Sequence, residues 1–144
     1  MARTTGDAHA GRTVADVMVL RPATHSSTVT VAQAYDALDD PHRHLLLVVR
    51  RRLLLGTIER TDLVGSARGP DPALPLSRLG GRTVHQGTPV DVALAEMVAG
   101  GRRRLAVTDL RGELLGLLCL KASGTGFCSD EGIAARAAAR DRSA

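Results

Sequence analysis

At 144 residues, with 44% hydrophobic and 24% charged residues, the chain is of a size and composition that form one compact domain or a tight pair of half-domains. Its net charge is +4, and 18 of its 19 basic residues are Arg, with Lys121 the exception. Tyr35 and Phe127 are the only aromatics, so the core must come from Leu, Val, Ala and Ile, and binding of single-stranded nucleic acid by base stacking is disfavoured. The longest apolar run, Leu45–Val49, is far too short to cross a membrane. The N-terminus lacks the apolar segment of a secretory signal, so the cytoplasm is the expected compartment.

In chain order, residues 1–12 mix Gly, Ala, Thr and charges without periodicity and are expected to be a disordered tail. Thr13 suits the cap of a short helix through Leu20, with Val14, Val17 and Met18 inward. Pro22–Ser26 is expected to be extended. Thr30 then caps a helix over 31–39, and Pro41 forbids its continuation. His44–Arg50 and Leu53–Ile58 read as strands joined by an Arg-rich turn, and Thr61–Ala67 as a helix. The cluster Gly69-Pro70-Asp71-Pro72 marks a linker.

The series then repeats. Thr83–His85 is extended, and Pro89–Ala99 is a helix stopped by Gly100-Gly101. Arg104–Thr108 and Glu113–Lys121 form a second hairpin, turning at Asp109–Gly112. Ser123–Gly126 reads as flexible, and Ser129 as the cap of a last helix over 130–141. The first helix carries Val31, Ala34, Tyr35 and Leu38 at i, i+3, i+4 and i+7; Val90, Ala93, Leu94 and Met97 repeat that spacing 59 positions on. Leu54-Leu55-Gly56 returns as Leu114-Leu115-Gly116 at an offset of 60, and Leu76–Leu79 echoes Val14–Val17 at 62. Such a period means two units related by pseudo-symmetry.

No residues qualify for catalysis. There is no Walker-type phosphate loop, no His-Glu-x-x-His helix, and no Ser or Cys with a persuasive His partner. The histidines at 9, 25, 42, 44 and 85 are scattered. Cys119 and Cys128 make neither a disulfide framework nor a metal site, and Cys119 in its apolar strand is expected to be a buried thiol.

Several stretches carry a family likeness. The run Pro22–Ala34 resembles the opening of a CBS domain, a short strand, a Ser/Thr-rich turn and a helix. Further marks are His44–Val49 and Leu55–Leu63 in the first copy, and Arg103–Asp109 and Gly112–Gly116 in the second. The likeness covers about residues 13–121. Part of the segment Cys119–Asp130 looks like CBS pairs of actinobacterial proteins, a stand-alone type.

The resemblance implies an α/β (α+β) fold: two β-α-β-β-α CBS repeats, a Bateman module, packed sheet to sheet, plus the C-terminal helix. The expected divisions are repeat 1 over 13–68, a linker over 69–75, repeat 2 over 76–122, and a flexible segment and helix over 123–144. It implies a regulatory module without enzymatic activity and without a required cofactor. Its ligand would be of the AMP, ATP, S-adenosylmethionine or adenosine class, and it would form a homodimer through its helices. Its output would pass through that dimer or an unidentified effector protein. A ligand-free interaction module is the alternative, and nucleic acid binding by the Arg runs ranks behind both.

By the same resemblance Asp62 accepts the ribose hydroxyls, since a carboxylate can take two hydrogen bonds from a diol. The other reading of Asp62 is a favourable charge in a first helical turn. Three positions earlier the family has Ser or Thr, whereas this chain has Glu59, with Thr61 nearby but out of register. That departure favours a nucleoside or cationic ligand over a polyphosphate there, or no ligand at all. Thr24 and His25, and Thr83 and Val84, fall where backbone groups read adenine; His25 reads equally as a half-exposed strand residue. Arg43-His44 and Arg103-Arg104 fall where the family meets phosphates, while Arg102–Arg104 reads equally as a solvated rim. In the second copy Ala122 and Cys119 stand at the positions of Asp62 and Glu59, so at most one site is expected to work.

Overall fold

The structure is a computed structural model that describes residues 11–40, 43–121 and 126–128. They form two three-stranded sheets with their helices and divide into two compact units, residues 23–40, 43–83 and 108–114, and residues 11–22, 84–107, 115–121 and 126–128.

In the first of these units, β1 (Thr24–Ser26) runs parallel to β2 (Leu46–Arg50), which is antiparallel to β3 (Leu53–Ile58). Helix α2 (Val31–Leu38) starts at a capping box, Thr30 Oγ1 accepting from Gln33 N–H at 3.1 Å and Gln33 Oε1 from Thr30 N–H at 3.0 Å. Its buried face, Val31, Ala34 and Leu38, meets Leu46, Val48, Ile58 and Leu63. The Tyr35 hydroxyl donates to the carbonyls of Leu63 and Ser66, tying α2 to the following turn. That turn holds α3, which spans only Arg60–Leu63. The expected helix to Ala67 stops early because Val64 is extended and Gly65 has φ +90°, outside helical space.

The second unit contains α1 (Val14–Val17), β4 (Thr83–His85), α4 (Val90–Gly100), β5 (Arg104–Thr108) and β6 (Leu114–Cys119), its sheet running β4-β5-β6. Its core joins Val14 to Ala93, Met97, Leu105, Val107 and Leu118. Pro89 caps α4 and Gly101, at φ +66°, ends it with its N–H on the Val98 carbonyl. Helix α1 is shorter than expected, because Val19 leaves helical geometry to pair with Leu117. The expected free thiol at Cys119 is also corrected. The chain folds back so that Leu120 bridges Phe127, which brings Cys119 and Cys128 to a Cα separation of 5.2 Å as a disulfide. The tail over 1–10, Pro41 and the helix expected over 130–141 lie outside the described residues.

The compact units do not coincide with the two sequence copies. Each sheet edge is closed by a segment that precedes the other copy. On β3, Thr57 and Arg78 exchange both backbone hydrogen bonds, at 2.9 and 2.8 Å. On β6, Leu117 and Val19 do the same, at 3.0 and 2.8 Å. Beside each pairing sits a strand glycine. A Cβ on Gly116 would lie 2.5 Å from the Val19 carbonyl oxygen and 2.8 Å from Met18 Sδ; one on Gly56 would lie 2.5 Å from Ser77 Cβ.

Gly116→Ala is therefore expected to lower unfolding free energy by about 1–3 kcal/mol, as overpacking does, because a backbone carbonyl blocks it. Gly56→Ala is expected to lose a similar amount, and Ser77→Gly to restore most of that loss, because the obstacle there is a side chain. Urea unfolding midpoints check both; an unchanged midpoint for Gly116→Ala would sink the close-approach account.

Candidate functional site

Strand β3 leads from the buried Thr57 and Ile58 into α3, and this exit positions the sharpest of the candidate residues. Glu59 is the N-cap of α3, and Asp62 stands three residues on, its Oδ2 accepting from Glu59 N–H at 2.8 Å. The sequence favours this turn because a carboxylate at that position satisfies an N-terminal amide that the helix leaves without a partner.

The segment that closes β3 carries Arg82 to the same place. Its Nη1 donates to Asp62 Oδ2 at 2.5 Å and its Nη2 to Asp62 Oδ1 at 2.9 Å, a two-pronged pairing of guanidinium and carboxylate. Nη1 also donates to the Thr57 carbonyl at 3.2 Å, and Nε lies 3.2 Å from Glu59 Oε1. Arg78 Nε is 3.6 Å from Asp62 Oδ1, with the Arg78 side chain 72% exposed. The Asp62 and Arg82 side chains are only 4% and 5% exposed, so the pair is held almost out of water.

Burial by itself raises the Asp62 carboxyl, but the Arg82 hydrogen bonds, the Glu59 amide and the charges of Arg82 and Arg78 outweigh it and hold Asp62 below the usual carboxylate range. Arg82 is raised in turn, chiefly by its hydrogen bonding to Asp62, against burial. A carboxylate offers about four lone-pair positions. Both on Oδ2 are occupied, and one on Oδ1. Chelating a vicinal diol with both oxygens therefore requires Arg82 to let go.

The remaining candidates of the first copy lie in the same unit. Thr24 and His25 sit on β1 opposite Leu47 and Val48. The His25 Nδ1 atom is buried with no hydrogen-bond partner among the described residues. Burial lowers His25 most, and the neighbouring Arg43 charge lowers it further, so the imidazole is held neutral. Arg43 is at 4.0 Å from Asp40, His44 is half-buried, and Thr61 is exposed. Thr83 is half-buried and Val84 buried on β4. Arg103 Nε and Arg104 Nη1 both reach the Leu120 carbonyl, at 3.3 and 3.4 Å, so in their own unit they brace the end of the second sheet.

Sequence reasoning missed Arg82, Arg78 and Thr57. Arg82 lies 20 positions from Asp62, across the Pro/Gly cluster, and no local pattern joins them. Among the described residues no group of three or more His, Cys, Asp or Glu could hold a metal ion, and no helix is long and apolar enough to cross a membrane.

No protein-family model and no curated protein matches the sequence. Solved structures do. The cystathionine β-synthase pair domain of SO5017 from Shewanella oneidensis MR-1 is 21% identical with a TM-score of 0.66, over 97% of this chain and 77% of that one. CBSX2, solved in complex with AMP, is 22% identical with a TM-score of 0.66, over 92% and 99%. The cytosolic domain of the Mg2+ channel MgtE, solved in complex with ATP, is 18% identical with a TM-score of 0.59, over 72% and 44%. These likenesses concern the fold, which each of the three shares with this chain.

Arg82→Ala is expected to cost about 3 kcal/mol, because it leaves a nearly buried carboxylate without its partner. The pH dependence follows from the depressed Asp62. Its contribution is fully present above the unfolded-state value of about 4 and is lost as pH falls through the lower folded-state value. The stability gap between wild type and Asp62→Asn is thus expected to hold constant at neutral pH and close in strongly acidic buffer. A gap that is independent of pH down to acid unfolding would remove the ionic account.

Proposed function

We propose that this chain, which has the fold of a CBS domain pair, is a regulatory nucleotide-binding module without enzymatic activity, taking an adenosyl ligand (AMP, ATP, S-adenosylmethionine or adenosine) in the unit that carries Asp62. The observation that carries this reading is the His25 Nδ1 atom. A buried imidazole nitrogen without a partner costs free energy until a ligand or water meets it. It sits on the strand whose counterpart, by the family resemblance, reads adenine, and the exposed Arg43 guanidinium stands near enough to depress it. CBSX2 and MgtE, of the same fold, were solved with AMP and ATP. On this reading Thr24 and His25 take the base and Arg43 and His44 the phosphate end. Asp62 takes the ribose only when Arg82 releases it, and Thr61 and Glu59 border it. Thr83, Val84, Arg103 and Arg104 belong to the second copy, which keeps neither acidic nor hydroxyl residue at the corresponding positions.

Signalling requires unequal affinity of the ligand for two conformations. Exchange of the Asp62–Arg82 pair for an Asp62–ribose pair supplies such a difference. Output through a homodimer or an effector protein belongs to the same proposal.

A specific observation favours a second reading. The two-pronged pairing leaves Asp62 satisfied without any ligand, as a module that acts only by protein contacts would have it.

Thermal melts with AMP, ATP, S-adenosylmethionine and adenosine separate the two. The sensor reading expects at least one ligand to raise the melting temperature, His25→Phe to abolish the rise, and Asp62→Asn to weaken binding about ten-fold, the loss of one or two hydrogen bonds to a charged group. If none acts at millimolar concentration, the interaction-module reading stands instead.

A further inference from the structure

The hairpin between β2 and β3 ends in three consecutive arginines, Arg50, Arg51 and Arg52. Arg51 adopts φ +58°, the only described non-glycine residue at positive φ, which turns the hairpin sharply. A second turn, Asp109–Gly112, is fastened beside it. Leu54 N–H donates to the Gly112 carbonyl at 3.0 Å, Leu114 N–H to the Arg52 carbonyl at 2.8 Å, and Leu53 bridges Glu113. Gly112, at φ +83°, allows this approach, since a Cβ there would meet Leu53 Cδ1 at 3.3 Å. Asp109 braces the second turn by accepting from the amides of Arg111 and Glu113, at 2.8 and 3.0 Å.

Between the two turns lies an open pocket of about 460 Å³ lined by Arg50, Arg51, Arg52, Leu53, Arg111 and Glu113. Four exposed arginines and a single glutamate thus share its lining. Elsewhere in the described residues arginine side chains are engaged: Arg68 by Asp36 and Asp39, Arg82 by Asp62, Arg60 by the Asp40 carbonyl, Arg103 by the Leu120 carbonyl. The four that line the cavity have no side-chain hydrogen bond or ion pair among the described residues. Backbone hydrogen bonds hold these like charges together, at a repulsive cost that an anion would relieve.

We propose that this cavity binds a compact polyphosphate, a small molecule with two or more linked phosphoryl groups. Guanidinium forks match phosphate oxygens in pairs, and arginines arriving from two separate turns need more than one phosphoryl group to engage them all. The volume is in the range of small-molecule sites, about 300–1,000 Å³. No aromatic ring lines it, so it lacks the stacking platform by which proteins hold unpaired bases. The site lies at the start of β3 and Asp62 lies beyond its end, a strand length of about 20 Å at the usual rise per residue. It is therefore distinct from the adenosyl site proposed above and does not depend on it.

Calorimetric titration with sodium tripolyphosphate tests the proposal, in buffers of low and physiological ionic strength. The wild type is expected to bind, more weakly as salt rises. Arg51→Gly/Arg52→Gln/Arg111→Gln is expected to lose at least ten-fold in affinity, with Gly at 51 keeping the turn. Its melting temperature should equal or exceed that of the wild type, since repulsion has been removed. Arg111→Gln alone, at an exposed turn position, provides a milder variant with a smaller loss. Adenosine carries no phosphate, so its response in the triple variant reports on the adenosyl reading separately. Unchanged tripolyphosphate affinity in the triple variant, no binding to the wild type, or tighter binding of a single-stranded oligonucleotide at the same arginines would each overturn the proposal.

Discussion

Much of this structure depends on one steric constraint, the passage of a chain segment over a strand glycine at the edge of each sheet. Gly56 on β3 and Gly116 on β6 leave no room for a side chain, because Ser77 and the Val19 carbonyl already occupy the space. With the glycine in place, the segment comes close enough to exchange two backbone hydrogen bonds with the edge strand, through Arg78 in one unit and Val19 in the other. An exposed strand edge is thereby closed, which removes a template for aggregation. Helix α1 then reaches the core of Ala93, Met97 and Leu118, and Ala73 the core around α2.

The charged pair is a consequence of that closure. Once Arg78 is fixed on Thr57, the chain needs only four more residues to bring Arg82 to the mouth of α3. The offset of 60 that relates the strands carries Asp62 to Ala122, and the offset of 59 between Val19 and Arg78, the residues paired to the two sheet edges, carries Arg82 to Ala23. One copy holds both members of the pair, and the other holds alanine at both corresponding positions. Within the first copy the two are bound to each other, since removing one partner of a nearly buried ion pair is costly. Asp62 thus has a structural reason to be acidic whether or not a ribose ever meets it, and a ligand that engages it must compete with a guanidinium already in place.

Local pattern was readable wherever local forces decide. The faces of α2 and α4, the strands Leu53–Ile58 and Arg104–Thr108 and the break after the Pro/Gly cluster all follow from periodicity and turn chemistry. Two helices came out shorter than expected for different reasons. Residue 65 adopts a conformation that ends α3, and Val19 gains more from a strand partner than from another helical turn. The disulfide was hidden because Cys119 lies in an apolar strand, where burial alone accounts for it, and the reversal that returns Cys128 leaves no periodic trace. Arg82 was illegible for the same kind of reason. Its partner is set by a tertiary crossing, and the stretch around it resembles any polar connection.

The arginines show how composition becomes chemistry only through position. Eighteen of them in 144 residues reads as a uniform bias. The fold sorts them. Arg82, at 5% exposure, is tolerated because two carboxylates and a carbonyl meet it, whereas a guanidinium buried without them would be prohibitive. Arg68 lies over the Tyr35 ring at 4.9 Å and bridges Asp36 and Asp39, fastening the linker side of α2. Arg103 and Arg104 close the end of β6 on one carbonyl. Each of these charges is matched to an acceptor that folding itself supplies. At the two joined turns folding supplies backbone acceptors only for backbone donors, and the guanidiniums of Arg50, Arg51, Arg52 and Arg111 are left around a shared cavity. A surface that needed charge only for solubility would disperse it, since separation lowers repulsion without loss of hydration. Concentration on a fixed backbone frame is the arrangement that recognition of an anion requires.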